Sequence, residues 1–286
     1  MRHARSNSSC MRIHVLRHRG AAAGGRTAAG NQRSIPAPGH VQSPGRVRHG
    51  RVGALGFSFH DKYDLFQEIV DAYDHWALCQ VQYNYMGVDQ QAGRRGVAYA
   101  AGKGLAVVIM EPLLGGRLVS PPPCIQAIWD RARHRRTPAD WGLQWLWSQP
   151  EISVVLSGMS TLAQVQENIA SASASQVHLL TDEELALFDQ VRQAYRALSP
   201  IPCTRCEYCL PCPEGVNIPR LLAVVNTAVM FDAINAARRD YSFVPAEERA
   251  DRCRACRRCE ELCPQGIAIS DWMLRIHGAL AEGRNL

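Results

Sequence analysis

Regular alternation of apolar and polar positions begins at about residue 51, where short apolar runs start to exchange with amphipathic stretches. Such a rhythm predicts a strand followed by a helix, repeated. The run ending in "LGFSFH" is a strand leading into the helix "DKYDLFQEIVDAY"; "WALCQVQYNY" is a second strand and "GRRGVAYAAGKG" a helix stopped by glycine. "LAVVIMEPL" has the continuous apolar character of a buried third strand. Thr137, Pro138 and Asp140 supply an N-cap, a first-turn proline and a first-turn carboxylate for the helix "ADWGLQWLWSQ". A fourth strand, "ISVVLSGMS", and the helix "LAQVQENIASA" complete the series. Four consecutive strand–helix units imply a parallel sheet and an α/β fold.

After the helix "LTDEELALFDQVRQAYRAL" the rhythm stops. "IPRLLAVVNTAVMFDAINAARRDY" and "ISDWMLRIHGALAE" read as helices, each following a cysteine-rich loop. Three parts are therefore expected: a disordered basic tail over 1–50, a parallel α/β region over 51–198 and a small helical domain over 199–286.

Charge sharpens this division. The first sixty residues hold ten Arg and no carboxylate, whereas the rest carries 22 basic and 26 acidic side chains. The formal charge of +6 therefore describes the tail, and the body is mildly acidic. No basic groove interleaved with aromatics occurs in the regular part, which argues against a nucleic-acid partner. No apolar stretch approaches the eighteen or so residues of a membrane span, so no membrane partner is expected. Eight of the eleven cysteines lie beyond residue 200, and the N-terminus lacks the apolar core of a secretory signal. A reducing, cytoplasmic setting follows more readily than a disulfide framework.

The second cysteine group, "CRACRRCEELCPQG", places Cys253, Cys256, Cys259 and Cys263 at spacings of two, two and three, before Pro264. This is the bacterial ferredoxin run, in which three closely spaced thiolates hold one cluster and the fourth, ahead of proline, holds another. The first group, Cys203, Cys206, Cys209 and Cys212 before Pro213, is a slightly irregular copy. Two [4Fe-4S] clusters with crossed ligation are predicted. Cys203, Cys206 and Cys209 would pair with Cys263, and Cys253, Cys256 and Cys259 with Cys212. Structural zinc competes, but it needs two C-x2-C pairs per ion and leaves the third regularly spaced cysteine of each group and both Cys-Pro ends unexplained. Arg252, Arg254, Arg257 and Arg258 crowd the second loop, either as a solvated face or as a way of raising a cluster potential or docking an acidic partner. Cys10, Cys79 and Cys124 are isolated and read as inert.

"LGFSFH", "CQVQYNY", "GLAVVIMEPLLGG", "PADWGLQWLWSQPEISVVLSGMSTLAQVQENI" and the tandem cysteine loops together resemble the ferredoxin-fused branch of the aldo/keto reductase family, over roughly residues 51 to 280. The resemblance implies the C-terminal half of a (β/α)8 TIM barrel followed by a small α-helical ferredoxin-like domain, with the site at the carboxyl ends of the strands. It implies NAD(P)H contacts from Ser58 and Gln80 to the carboxamide and from Leu113 and Gly115 beside the pyrophosphate. Gly158, Ser160, Gln164 and Asn168 would surround the adenosine end, where a helix N-terminus offers N–H groups to phosphate. Met110 and Glu111 stand where the family commonly has a stacking tyrosine and a serine. Gly158 and Gln164 stand where it has the Lys and Arg of a 2′-phosphate clamp, so NAD versus NADP stays open.

The family's Asp, Tyr, Lys and His tetrad belongs to the first four strand–helix units, which would precede residue 51. Residues 1–50 contain no Tyr, Lys or Asp. No catalytic residue is assigned, and the chain looks like a C-terminal fragment of a longer reductase. The expected function is an iron–sulfur oxidoreductase acting with a redox partner protein or a small-molecule substrate. Two alternatives stand beside it: an NAD(P)H-dependent carbonyl reductase, for which Tyr83 and Tyr85 are the tyrosines at hand, and a structural protein stapled by metal clusters.

Overall fold

The fold was read from a computed structural model, which describes residues 11–16 as strand backbone and residues 53–286 in full. Five strands form one sheet in the order β1 (Met11–Leu16), β2 (Ala54–Phe59), β3 (Trp76–Gln82), β4 (Ala106–Met110) and β5 (Ile152–Val155). From β2 to β5 the pairing is parallel, as the strand–helix repeat predicts. The described residues divide into two units, one of 53–119 and 136–185, the other of 120–135 and 186–286.

In the first unit, the helices α1 (Tyr63–Asp71) and α2 (Gly93–Gly102) follow β2 and β3. Strand period decides what they cover. Phe57, Phe59, Cys79, Val81, Val107 and Ile109 are all at most 1% exposed. Phe66 of α1 packs into this layer, its ring 5.8 Å from Phe57 and 5.1 Å from Phe59. The alternate positions Leu78, Gln80, Val108 and Met110 are half-buried, and Val154 on the same side is 46% exposed. One face is thus a finished core and the other an open wall carrying polar groups.

Burial explains Cys79. It lies within the finished layer, and removal from water pushes its thiol up to about 12. Because the thiolate is the reactive form, iodoacetamide at neutral pH should spare Cys79 in the folded chain while labelling the exposed Cys124. Peptide mapping that finds both labelled at equal rates would mean that the sheet opens readily.

The structure adds to or departs from the sequence expectation in four places. The expected disordered tail lies outside the described residues, as does Cys10, except that Met11–Leu16 form a strand antiparallel to β2. In "MRIHVL" the apolar Met11, Ile13 and Val15 alternate with polar Arg12 and His14. The free N–H and C=O groups along the β2 edge can pair with such a segment. Second, a short helix α3 (Pro123–Trp129) forms after a proline run that pre-sets its first turn. Third, β3 stops at Gln82, before the expected Tyr83–Tyr85. Fourth, the helix expected over 218–241 breaks in two, α7 (Ile218–Met230) and α8 (Ile234–Ser242). There Asp232 is left-handed at φ 47° and Ala233 N–H donates to the Ala228 carbonyl at 2.8 Å. That is the way helices commonly end.

Helix α4 (Pro138–Trp147) begins as predicted, with Thr137 Oγ1 accepting from Asp140 N–H at 3.2 Å. Helices α5 (Leu162–Ser173) and α6 (Asp182–Ala197) follow. The second unit adds α9 (Arg258–Glu261) and α10 (Ile269–Leu280), and its core gathers Leu221, Leu222 and Val225 of α7, Tyr241 of α8, and Met273 and Ile276 of α10. Six of the eight clustered cysteines pack against that core. Tyr241 Oη lies 3.1 Å from His277 Nδ1 and accepts from Ala250 N–H, while Arg238 Nε donates to the Ala279 carbonyl. These bonds tie α8 to α10.

Candidate functional site

The two cysteine loops are copies in backbone as well as in spacing. Arg205 and Glu207 in the first loop have φ of 57° and 65°, and the matching Ala255 and Arg257 in the second have 52° and 60°. Four non-glycine residues in the left-handed region at equivalent positions are costly. They wind both loops alike, with the outer cysteines of each triplet half-buried against the core and the middle ones, Cys206 and Cys256, exposed. Each loop then closes on a Cys-Pro-x-Gly turn. Gly215 N–H donates to the Cys212 carbonyl at 3.0 Å, and Gly266 N–H to the Cys263 carbonyl at 3.1 Å. Both glycines carry positive φ, 79° and 61°, which a side chain would strain. After each turn an apolar pair is buried, Val216 with Ile218 and Ile267 with Ile269, and a helix starts. Two identical turns leading into two packed helices bring the end of each loop to the other.

Cys212, Cys253, Cys256 and Cys259 accordingly line a cavity of about 330 Å³, which Cys209 also reaches. Cys203, Cys206, Cys209 and Cys263 line a narrower one of about 20 Å³. Burial raises the Cys209 thiol, with Cys203, Cys206 and Cys263 as electrostatic neighbours. Burial also raises Cys259, to about 11, followed by Glu260 and Cys253, with Cys212 contributing. Those cysteine neighbours fall within the two crossed sets read from the spacing, with Cys256 not among them. A metal binding there must displace thiol protons. Among the described residues no three His, Cys, Asp or Glu side chains converge closely enough to hold a single ion. The sulfurs ring pockets instead, and an all-thiolate, soft donor set suits iron–sulfur chemistry.

Further bonds hold the loops. Asn226 of α7 accepts from Ile201 N–H at 3.0 Å and donates to the Ile201 carbonyl at 2.7 Å, clamping the chain just before Cys203. Glu260 accepts from Ser270 N–H at 2.8 Å and from the Ser270 hydroxyl, and these bonds lower its carboxyl below the usual range. That joins the second loop to the start of α10. Neither clamp was foreseen, although the Cys-Pro-x-Gly repeat was legible as an extension of the Cys-Pro pairs.

Of the residues expected at a nucleotide site, Ser58 and Gln80 lie on β2 and β3, Leu113, Gly115, Gly158 and Ser160 in the turns after β4 and β5, and Gln164 and Asn168 within α5. Ser58 and Gln80 are register partners on β2 and β3. Ser58 is 2% exposed, and Gln80 Nε2 reaches Met110 Sδ at 3.6 Å. Leu113 and Gly115 belong to the turn after β4, where Gly115 and Gly116 have φ of 63° and 87° with open space beside them. Gly158 is exposed in the loop after β5. Ser160 and Gln164 belong to a capping box on Thr161, in which Gln164 Oε1 accepts from Ser160 N–H at 2.8 Å and Thr161 N–H at 3.2 Å. Asn168 Nδ2 donates to Ser157 Oγ at 2.9 Å. The residues expected beside a pyrophosphate and an adenosine thus belong to a glycine turn and a helix terminus, and Met110 places no aromatic ring beside Gln80.

Asn84 was missed by sequence reasoning. It is 1% exposed, donates to the Glu111 carbonyl at 3.1 Å and accepts from Met86 and Gly87 N–H, holding Glu111 at φ 52°. Tyr83 lies on the covered side of the sheet, its hydroxyl donating to Gln149 Oε1 at 3.2 Å, and burial raises its phenol. A general acid of the tyrosine type needs the opposite shift and an open position.

The aldo/keto reductase family model matches residues 46–193, a little over half of the chain. The chain belongs to the aldo/keto reductase family. A 4Fe-4S dicluster domain model matches residues 202–268, which contain all eight clustered cysteines. Among solved structures, the holo form of an aldo-keto reductase from Bacillus halodurans is similar at 17% identity, over 54% of this chain and 58% of that one, with a TM-score of 0.43. An aldo-keto reductase from Klebsiella pneumoniae in complex with NADPH is 21% identical over 52% of this chain and 51% of its own, with a TM-score of 0.39. Aldose reductase from Giardia lamblia is 15% identical over 52% and 48%, with a TM-score of 0.39. No curated protein matches. The chain thus spans less than two thirds of the length of the structures it resembles. No helix among the described residues is long and apolar enough to cross a membrane.

Proposed function

We propose that this aldo/keto reductase family member is a cytoplasmic iron–sulfur oxidoreductase that exchanges electrons through two [4Fe-4S] clusters. Cys203, Cys206, Cys209 and Cys263 would hold one, and Cys212, Cys253, Cys256 and Cys259 the other. One observation carries the reading: the cysteines of two separate loops line two pockets in crossed sets. When bound, such a cluster gives or takes one electron. The residues here would supply thiolates and exclude water by packing six of those cysteines on the helical core. Anaerobic purification with iron and acid-labile sulfide analysis tests it. About eight iron and eight sulfide per chain are expected for two such clusters. A colourless protein with about one zinc would overturn the reading in favour of a structural zinc site. Clusters that load but cannot be reduced reversibly would favour a stapling role.

Toward a nicotinamide nucleotide the same reading expects weak affinity. The glycine turn at Gly115 and Gly116 leaves open space in which a phosphate could approach the backbone, whereas the Ser160 and Thr161 amides are already held by Gln164. Met110 offers no ring, and an aromatic stack is worth roughly 0.5–1.5 kcal/mol. Dissociation constants for NADH and NADPH weaker than about 1 μM, the value that corresponds to about −8 kcal/mol, are expected by titration calorimetry. Tighter binding would restore the carbonyl reductase alternative.

A further inference from the structure

The two cysteine pockets differ at their openings. Around the first stand Arg205, Glu207 and Gln265, so its rim is close to neutral. The larger second pocket opens between Arg254, Arg257 and Arg258, opposed by Glu214 alone. Arg254 reaches Glu214 at 3.3 Å and is 77% exposed even so, and both Arg257 and Arg258 are exposed. Glu260 on α9 is turned to Ser270 and does not line the opening, although Arg257 is an electrostatic neighbour of its carboxyl. Between the arginines lie Pro211, Pro213 and Leu262, the last 58% exposed, and the exposed Cys256 reaches the same rim. An apolar centre framed by guanidinium groups is the anatomy of a protein-docking patch.

We infer that this opening is the docking face for an acidic one-electron carrier protein, a proposal that rests on the cluster reading above. Charge complementarity selects the partner. Three arginines against Glu214 on the rim and Glu260 behind Arg257 leave the opening net positive, which attracts a carboxylate-ringed surface and repels a basic one. The left-handed Arg257 at the second loop sets that side chain beside the opening, within the loop conformation that the ligating cysteines require. The neutral rim of the first pocket has no such preference, which makes the second pocket the port. Each exchange moves one electron, the carrier gaining what the chain loses, with no bond made or broken.

The experiment uses the iron-loaded full chain, with iron content and electron paramagnetic resonance recorded first. Binding of an acidic flavodoxin and of a basic cytochrome c is then measured by calorimetry at low and high salt. Flavodoxin is expected to bind at low salt and to weaken steeply as ionic strength approaches about 0.5 M, where screening shrinks to a few Å, whereas cytochrome c is not expected to bind. Arg257→Ala with Arg258→Ala should weaken flavodoxin about tenfold or more, a loss of about 1.4 kcal/mol, with iron content and resonance unchanged. Arg196→Ala with Arg239→Ala, the same loss of two charges at exposed positions of α6 and α8, should leave binding as it was. An iron-loaded chain that ignores flavodoxin, binds cytochrome c equally well, or binds unchanged with Arg257 and Arg258 replaced overturns the docking face alone. A chain that takes up no iron overturns the cluster reading and the docking face with it.

Discussion

Replacing Cys256 by serine is expected to empty the larger cysteine pocket and to loosen the smaller one. Cys256 lines that pocket together with Cys212 from the other loop. Cys212 begins the turn that leads into α7, and Cys263 begins the matching turn that leads into α10. A ligand lost from one pocket therefore releases the end of the loop that builds the other. Metal binding energy in small domains is largely folding energy, and several cysteines here double as packing against the core. Iron should fall from about eight per chain to about four or fewer, with a lower unfolding temperature and faster amide exchange in both helices. Cys124→Ser, which alters an exposed thiol outside both sets, should change neither. If the remaining cluster keeps its native resonance and α7 and α10 keep their protection, the loops do not share a scaffold.

What could be read in advance depended on how local the cause was. Thiolate spacing is set by the reach of the chain around one cluster, and the groups it suggests resemble the linings of the two pockets except that Cys209 lines both. Parallel strands with one buried face write their pattern into a handful of consecutive residues, and β2 to β5 followed from it. Strand β1 did not, because an arginine-rich surrounding hid a short alternation whose reason lies forty residues away, on the open edge of β2. The break at Asp232 was hidden as well. Its neighbours are good helix formers, and only tertiary packing of α8 against α10 through Tyr241 and His277 turns the chain there. Asn84 was illegible for a related reason. One asparagine in a turn is ordinary, and its weight comes from the Glu111 carbonyl it holds across the sheet.

The second large effect is expected at Arg136, where a buried ion pair joins the start of α4 to the start of α6. Its guanidinium is 13% exposed, 2.5 Å from Glu184 Oε1, whose side chain is 5% exposed, and 4.5 Å above the Trp141 ring. Glu184 in turn caps the first turn of α6, accepting from Thr181 N–H at 3.1 Å. Asp140, 3.8 Å from Arg136 Nε, also accepts from Gln144 Nε2 and from the Ser171 hydroxyl. Thr137 Oγ1 donates to Glu167 Oε1 at 2.7 Å. Through these bonds α4 fixes α5, and so the amides of Ser160 and Thr161. Arg136→Met keeps most of the stem but leaves two carboxylates without their cation, and breaking a buried pair from one side costs about 3–5 kcal/mol. Urea unfolding should show a loss of that size, with faster amide exchange at the start of α5. Arg136→Met combined with Glu184→Leu should recover most of the stability, since an apolar pair of similar volume can replace a buried ion pair at little cost. A single variant that loses less than about 1 kcal/mol, in the range of exposed pairs, would show that the pair is solvated, and the positioning of α5 would then rest on Thr137 and Asp140 alone.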